Sequence, residues 1–164
     1  AGEIGQIEVR GPNVFEGYWQ MPEKTAEELR ADGFFITGDL GLIDEDGYVT
    51  IVGRNKDLII SGGYNIYPKE IELILDDQPG VLESAVIGVP HPDFGESVVG
   101  LLVAEPDATL STEAVMAALG KQLARFKQPK MLIVMSEFPR NTMGKLQKNI
   151  LREQFADTFS PPKF

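Results

Sequence analysis

The sequence predicts an α+β fold in two parts. Strand-like and helix-like segments interleave without the regular spacing of βαβ units. Two apolar runs, 81–89 and 97–105, flank a turn-rich stretch and read as strands. The texture also changes near Arg54 to Asp57. Before that point lie hairpins and turns; after it comes a helix–strand pattern of about 110 residues, long enough for its own core. We therefore expect a β-rich part over 1–54, too strand-and-turn-like to stand alone, and a compact domain over 55–164.

Taken in order, Gly5 to Arg10 alternates apolar and polar residues and is closed by Gly11-Pro12, as a strand would be. Pro22 to Arg30 reads as a short polar helix with proline in its first turn. Leu40–Asp44 and Tyr48–Val52 form a hairpin around Asp44-Glu45-Asp46-Gly47, where Asp-Gly supplies the positive φ such turns need. Leu58 to Ile60 is a short apolar run stopped by Ser61-Gly62-Gly63. Pro68 to Asp77 follows as a helix with Ile71, Ile74 and Leu75 on one face. After the two apolar strands, Ser111-Thr112 precede a helix to about Arg125, lacking the Glu of a full capping box. Leu132–Met135 reads as a strand, Asn141–Gly144 as a loop, Lys148–Ala156 as a last helix and Ser160–Phe164 as a loose tail.

Composition narrows the chemistry. With 43% hydrophobic residues, nine Phe and one Trp, the 164-residue chain can bury a real core. Its lack of cysteine excludes a disulfide scaffold, a thiolate zinc site and a cysteine nucleophile. One histidine, His91, excludes the two-histidine zinc helix; between two prolines it reads as a turn residue. No apolar run approaches the ~18–20 residues of a membrane span. The first residues carry no basic and apolar leader pattern. A net charge of −10 argues against general nucleic-acid or anionic-membrane binding.

That charge is unevenly spread. Lys121 to Arg152 holds eight basic residues against Glu137 alone, a local +7 that leaves −17 for the rest. The stretch reads either as a site for a small polyanion, such as nucleotide or coenzyme phosphates, or as a solvated basic face.

Four segments carry candidate chemistry. Thr37-Gly38-Asp39 places an acid at a tight turn, where a carboxylate can accept from vicinal hydroxyls or serve as an ordinary turn residue. In Gly53-Arg54-Asn55-Lys56-Asp57, Arg54 can grip ribose or phosphate oxygens, or pair with Asp57 on the surface. Ser61-Gly62-Gly63-Tyr64-Asn65 allows close backbone approach to a ligand, or simply turns the chain from strand to helix. Pro139 to Lys145 is a glycine-bearing loop with a lysine at its end, able to deliver a point charge to a carboxylate or phosphate. Glu96 reads as structural, and the acidic trio Asp44-Glu45-Asp46 as solvated turn residues rather than a metal site.

Jointly and in this order, the segments resemble the C-terminal end of the adenylate-forming superfamily: acyl-CoA synthetases, peptide-synthetase adenylation domains and luciferases. The matching residues are Gly2-Glu3-Ile4-Gly5, Arg10-Gly11-Pro12, Gly17-Tyr18, Gly33-Phe34-Phe35, Thr37-Gly38-Asp39, Asp46-Gly47-Tyr48, Gly53-Arg54, Lys56-Asp57, Gly62-Gly63, Pro68, Glu70-Ile71-Glu72 and the Pro139…Gly144-Lys145 loop. Gly63 to Glu72 and Val89 to Glu96 look most like malonyl-CoA synthetases. The resemblance implies an ATP-dependent acid–CoA ligase, which joins a carboxylate to AMP with release of pyrophosphate and then exchanges AMP for the coenzyme A thiol. It implies a small mobile C-terminal domain with short antiparallel sheets packed by helices, preceded by strands from the edge of a larger N-terminal AMP-binding domain.

By the same resemblance, Asp39 holds the ribose hydroxyls and Arg54 assists. Lys56 is the hinge, Gly62 and Gly63 line the pantetheine tunnel, and Lys145 contacts the carboxylate and α-phosphate during adenylation. ATP with Mg²⁺, held mainly by the larger domain, and coenzyme A would be the co-substrates, beside a small carboxylic acid. Neither a phosphate-binding Ser/Thr/Gly loop nor an acyl-pocket segment occurs here, so we expect a cytoplasmic enzyme's fragment that is silent alone. A different class is a substrate of a protein lysine acetyltransferase and deacetylase at Lys145, which the resemblance also implies. A stand-alone nucleotide-binding module has less behind it, because Asp39 and Arg54 supply only part of a site.

Overall fold

A computed structural model describes residues 2–160 and divides the chain into two units, 1–56 and 57–164. The first unit is built on β1 (Gly5–Val9), a short helix α1 (Pro22–Glu28), β2 (Phe35–Ile43) and β3 (Val49–Arg54). The strands form one antiparallel sheet in the order β1-β2-β3. At the expected hairpin turn, the Asp44 carboxylate accepts from the amides of Asp46 and Tyr48, and Gly47 has a φ of 86°. That geometry explains the Asp and Gly positions. α1 stops at Glu28, short of Arg30, because Leu29 turns extended and bridges Phe35.

The second unit begins with a hairpin of β4 (Ile59–Ser61) and β5 (Tyr64–Ile66) and continues with α2 (Pro68–Asp76). Next come the long hairpin of β6 (Val81–His91) and β7 (Gly95–Ala104), then α3 (Thr112–Gln122), β8 (Met131–Met135) and α4 (Lys148–Gln154). The sheet order is β5-β4-β7-β6, and β8 joins β7 in parallel as the exception to antiparallel pairing. The class is α+β, as expected.

Both faces of this sheet are covered, which is why 85–89 and 97–103 read as nearly unbroken apolar runs. Val86, Val98 and Leu102 pack with Ile71 and Leu75 of α2 and Leu119 of α3. On the other face Ala85, Ile87, Val89, Val99 and Leu101 pack with Phe138 and Leu151 of α4. Gly100 is the thin point: a Cβ there would lie 2.5 Å from Leu132 Cδ2. Ser111 caps α3 by accepting from the Ala114 amide at 3.2 Å.

β6 lies at the sheet edge, where unpaired amides invite mispairing. Here the Glu72 carboxylate of α2 accepts the Val86 amide at 2.9 Å and the Lys148 ammonium of α4 at 2.5 Å. One side chain thus covers the edge and ties together helices from opposite faces. Of the expected loose tail, Pro161–Phe164 lie outside the described residues, while Ser160 hydrogen-bonds Asp157.

Candidate functional site

Asp39 and Arg54 face each other as partners on β2 and β3. Arg54 Nε lies 2.7 Å from Asp39 Oδ1, with the arginine side chain 56% exposed and the aspartate 22%. This corrects two sequence expectations. Thr37-Gly38-Asp39 lies within a strand rather than at a tight turn, although Gly38 does take a φ of 74° and bends it. Arg54 also pairs across the sheet with Asp39 instead of with Asp57; Asp57 binds Arg152 at 2.5 Å. The Thr37 hydroxyl donates to the Ile7 carbonyl and accepts the Asp39 amide, fixing the backbone that presents the acid. What results is a carboxylate with one oxygen committed and a half-exposed guanidinium beside it.

A cleft of about 550 Å³ in the same unit is lined by Tyr18, Lys24, Glu28, Gly38, Arg54 and Lys56, among others. Lys56 is exposed within a 3-10 turn over Asn55–Asp57, the last residue of its unit. Glu28 accepts from Lys24 at 2.8 Å and from the Tyr18 hydroxyl. The Lys24 hydrogen bond, then that of Tyr18, holds the Glu28 carboxyl below its ordinary value. The same bonds to Glu28 push the Tyr18 hydroxyl and the Lys24 ammonium up. None of this trio stood out as a site in the sequence, although Lys24 and Glu28 have the (i, i+4) spacing of a helical ion pair.

In the second unit, Gly62 and Gly63 form the turn of the β4–β5 hairpin, rather than a passage from strand to helix. Both have positive φ, 56° and 82°, which only glycine adopts without strain. The Gly62 amide donates to the Phe94 carbonyl at 2.9 Å, setting the turn against the β6–β7 hairpin tip. A Cβ on Gly63 would meet nothing, so its backbone is open to approach. Nearby, His91 ends β6 instead of occupying the turn, its ring 4.8 Å from Phe94 and 5.2 Å from Phe159. Glu96 is structural as expected: it accepts the Ile60 amide at 2.8 Å and so fastens β4.

Lys145 is exposed at the end of its loop and has no ion-pair partner among the described residues. The loop itself is tightly tied. Arg140 bridges Leu146 across it, and the Gln147 amide donates to the Pro139 carbonyl at 2.9 Å. The basic stretch around it is only partly available to an anion. Lys127 pairs with Glu70, Arg140 with Glu83, Lys148 with Glu72 and Arg152 with Asp57. Half of its eight cations therefore neutralise acids of the same unit, which corrects the reading of the whole stretch as one anion site. Among the described residues no three acidic or histidine side chains gather as a metal site would require.

Residues 70–145 match the family model of the AMP-binding enzyme C-terminal domain. The chain is 48% identical over 153 residues to a 3-[(3aS,4S,7aS)-7a-methyl-1,5-dioxo-octahydro-1H-inden-4-yl]propanoyl:CoA ligase of Rhodococcus jostii, covering 93% of this chain and 30% of that protein. It is 46% identical to a feruloyl-CoA synthase of an Amycolatopsis species, covering 94% of this chain and 31% of that one. Among solved structures, ATP-bound MatB of Rhodopseudomonas palustris superposes with a TM-score of 0.90 at 61% identity, covering 97% of this chain and 32% of that chain. The chain thus spans about 30% of the length of the curated relatives. No helix among the described residues is long and apolar enough to cross a membrane.

Proposed function

We propose that this chain supplies the lysine-bearing C-terminal domain of a cytoplasmic, AMP-forming acid–CoA ligase, with residues 1–54 the edge of its larger AMP-binding domain. Carboxylate attack on the α-phosphorus of ATP brings two anions together and adds charge to the phosphate oxygens. Lys145 meets that charge as a fixed ammonium, most effective where water is excluded. The observation that carries the reading is a cation without a carboxylate partner among the described residues, on a loop closed by its own hydrogen bonds. Asp39, steadied by Arg54, accepts the ribose hydroxyls, and coenzyme A is the acyl acceptor. Malonate is the acid, supported by the resemblance of 63–72 and 89–96 to malonyl-CoA synthetases and by the identity to MatB.

The position of Gly62 and Gly63 supports a division of labour. Their turn binds the tip of the β6–β7 hairpin at Phe94, whereas Arg140 of the lysine loop binds Glu83 near the other end of β6. The eight residue-to-residue steps from Glu83 to His91 span roughly 26 Å at the usual strand rise. Lys145 and the glycine turn therefore serve different moments: the lysine adenylation, the glycines the passage of the pantetheine arm after rotation at Lys56.

Lys145→Ala in the full-length ligase should lower malonate-dependent pyrophosphate exchange about 10²–10³-fold, by analogy with loss of one oxyanion donor. Thioester formation from preformed acyl-adenylate should change far less, and unaltered exchange would sink the reading. The exposure of Lys145 also favours a second reading, reversible acetylation that removes its charge. Mass spectrometry after incubation with acetyl-CoA and a lysine acetyltransferase tests it, and a Lys145 that stays unmodified counts against it.

A further inference from the structure

The Lys145 loop is held from inside by one side chain. Asn141 Oδ1 accepts the amides of both Met143, at 3.0 Å, and Lys145, at 2.9 Å. Its own amide donates to the Lys145 carbonyl at 2.9 Å, and its carbonyl accepts the Gly144 amide at 2.9 Å. Lys145 is thus gripped at its N–H and its C=O by the same residue four positions earlier. Gly144, with a φ of 76°, makes the reversal that this closure requires.

The loop is also fixed to the sheet. Arg140 Nη1 donates to the Gly144 carbonyl at 2.9 Å, while Nη2 pairs with Glu83 on β6. The guanidinium uses two arms of its planar fork in two directions. Met143 at the tip is 72% exposed, so the tip itself makes no core contact, while Phe138 and Leu146 on either side of the loop pack into the second core cluster.

We infer that Asn141 is a positioning residue for Lys145: its carboxamide and backbone pre-set the loop, and Arg140–Glu83 anchors it, so that the ammonium arrives at the reacting phosphate already oriented. This rests on the assignment of Lys145 to adenylation. Its physical basis is that displacement of a catalytic group by about 1 Å can cost on the order of 10²-fold in rate. Asn141 touches no reacting atom, so its loss acts on the turnover of one half-reaction only.

The test uses the full-length ligase with Asn141→Ala, Asn141→Asp and Lys145→Ala, each assayed for pyrophosphate exchange and for thioester formation from preformed acyl-adenylate. Asn141→Ala should lower kcat for exchange roughly 10–100-fold, with KM for ATP and the thioester step near the parent's. Asn141→Asp keeps an accepting oxygen at the same place and should restore most of the exchange rate. Equal loss in both half-reactions would mean a structural role and overturn the inference. So would full exchange in Asn141→Ala, or an Asp variant as poor as Ala, while Lys145→Ala is crippled. Full exchange in Lys145→Ala would instead overturn the underlying assignment.

Discussion

Replacing Glu72 by Ala removes a carboxylate that is 9% exposed and makes two bonds, to the Val86 amide at 2.9 Å and to Lys148 Nζ at 2.5 Å. Leaving the Val86 amide buried without an acceptor costs about 1–3 kcal/mol. Breaking a buried ion pair by deleting one partner costs about 3–5 kcal/mol in a sealed interior. Lys148 is 18% exposed and can turn its ammonium toward water, so the charge penalty is discounted. We therefore expect Glu72→Ala to destabilise the second unit by about 2–4 kcal/mol in total. Lys148→Met keeps the Val86 bond but leaves the more buried carboxylate without its cation, so it should destabilise by a similar amount. In a double-mutant cycle read by urea unfolding, the pair should show a coupling of about 1–2 kcal/mol. A Glu72→Ala loss below about 0.5 kcal/mol, the usual range for surface changes, would refute the claim that this side chain seals the edge of β6.

Gly100→Ala should destabilise by about 1–3 kcal/mol in the same unfolding assay, since its methyl would stand 2.5 Å from Leu132 Cδ2. In the full-length ligase, Asp39→Asn should raise KM for ATP about tenfold through the loss of charge-assisted hydrogen bonds to the ribose, with kcat less affected; an unchanged KM would remove Asp39 from the nucleotide site. The Glu28 carboxyl is depressed by Lys24 and Tyr18, so its contribution to the first unit is complete above the ordinary carboxylate range and lost as pH falls through the lowered folded value. Titration of the Glu28 carboxyl by NMR should place its midpoint below that of a free glutamate, and Lys24→Met should move it upward.

Much of the fold was legible because period and punctuation agreed. Asp44-Glu45-Asp46-Gly47 predicted its hairpin from turn chemistry alone, and Pro68 with Ile71 and Leu75 predicted α2 from a start signal and one buried face. What stayed illegible depended on partners distant in sequence. Leu132–Met135 reads as a strand, but only packing against β7 makes it parallel. Thr37-Gly38-Asp39 contains a glycine of positive φ and so reads as a turn, yet pairing with β1 and β3 keeps it in a strand. Arg54 lies three residues from Asp57, but sheet register places it opposite Asp39. The Asn141 clamp did have a local signal, Asn followed by Gly-Lys at the third and fourth positions, since Asn side chains habitually bind backbone amides two residues on. Residue type and spacing announced the loop; only the structure shows that both ends of Lys145 are held.

The placement of the ion pairs bears on how a domain of this size can present two sites in turn. Lys127–Glu70 joins the segment after α3 to α2, Glu72–Lys148 joins α2 to α4, and Arg152–Asp57 joins α4 to the first residue of the unit. Lys127–Glu70 and Arg152–Asp57 are the more exposed pairs and individually weak, but together with the more buried Glu72–Lys148 they link elements on both faces of one sheet. A device that works by local melting would need few such links near its functional loops. Here the Lys145 loop is tied to β6 through Arg140, and the Gly62 turn is tied to the hairpin tip through Phe94. With both segments fixed to opposite ends of the same hairpin, the exchange of one for the other in the proposed function would turn the unit as a body. That leaves the bend to a point outside this network, and Lys56, exposed in the 3-10 turn Asn55–Asp57 just before Arg152's partner Asp57, is where the proposed hinge falls.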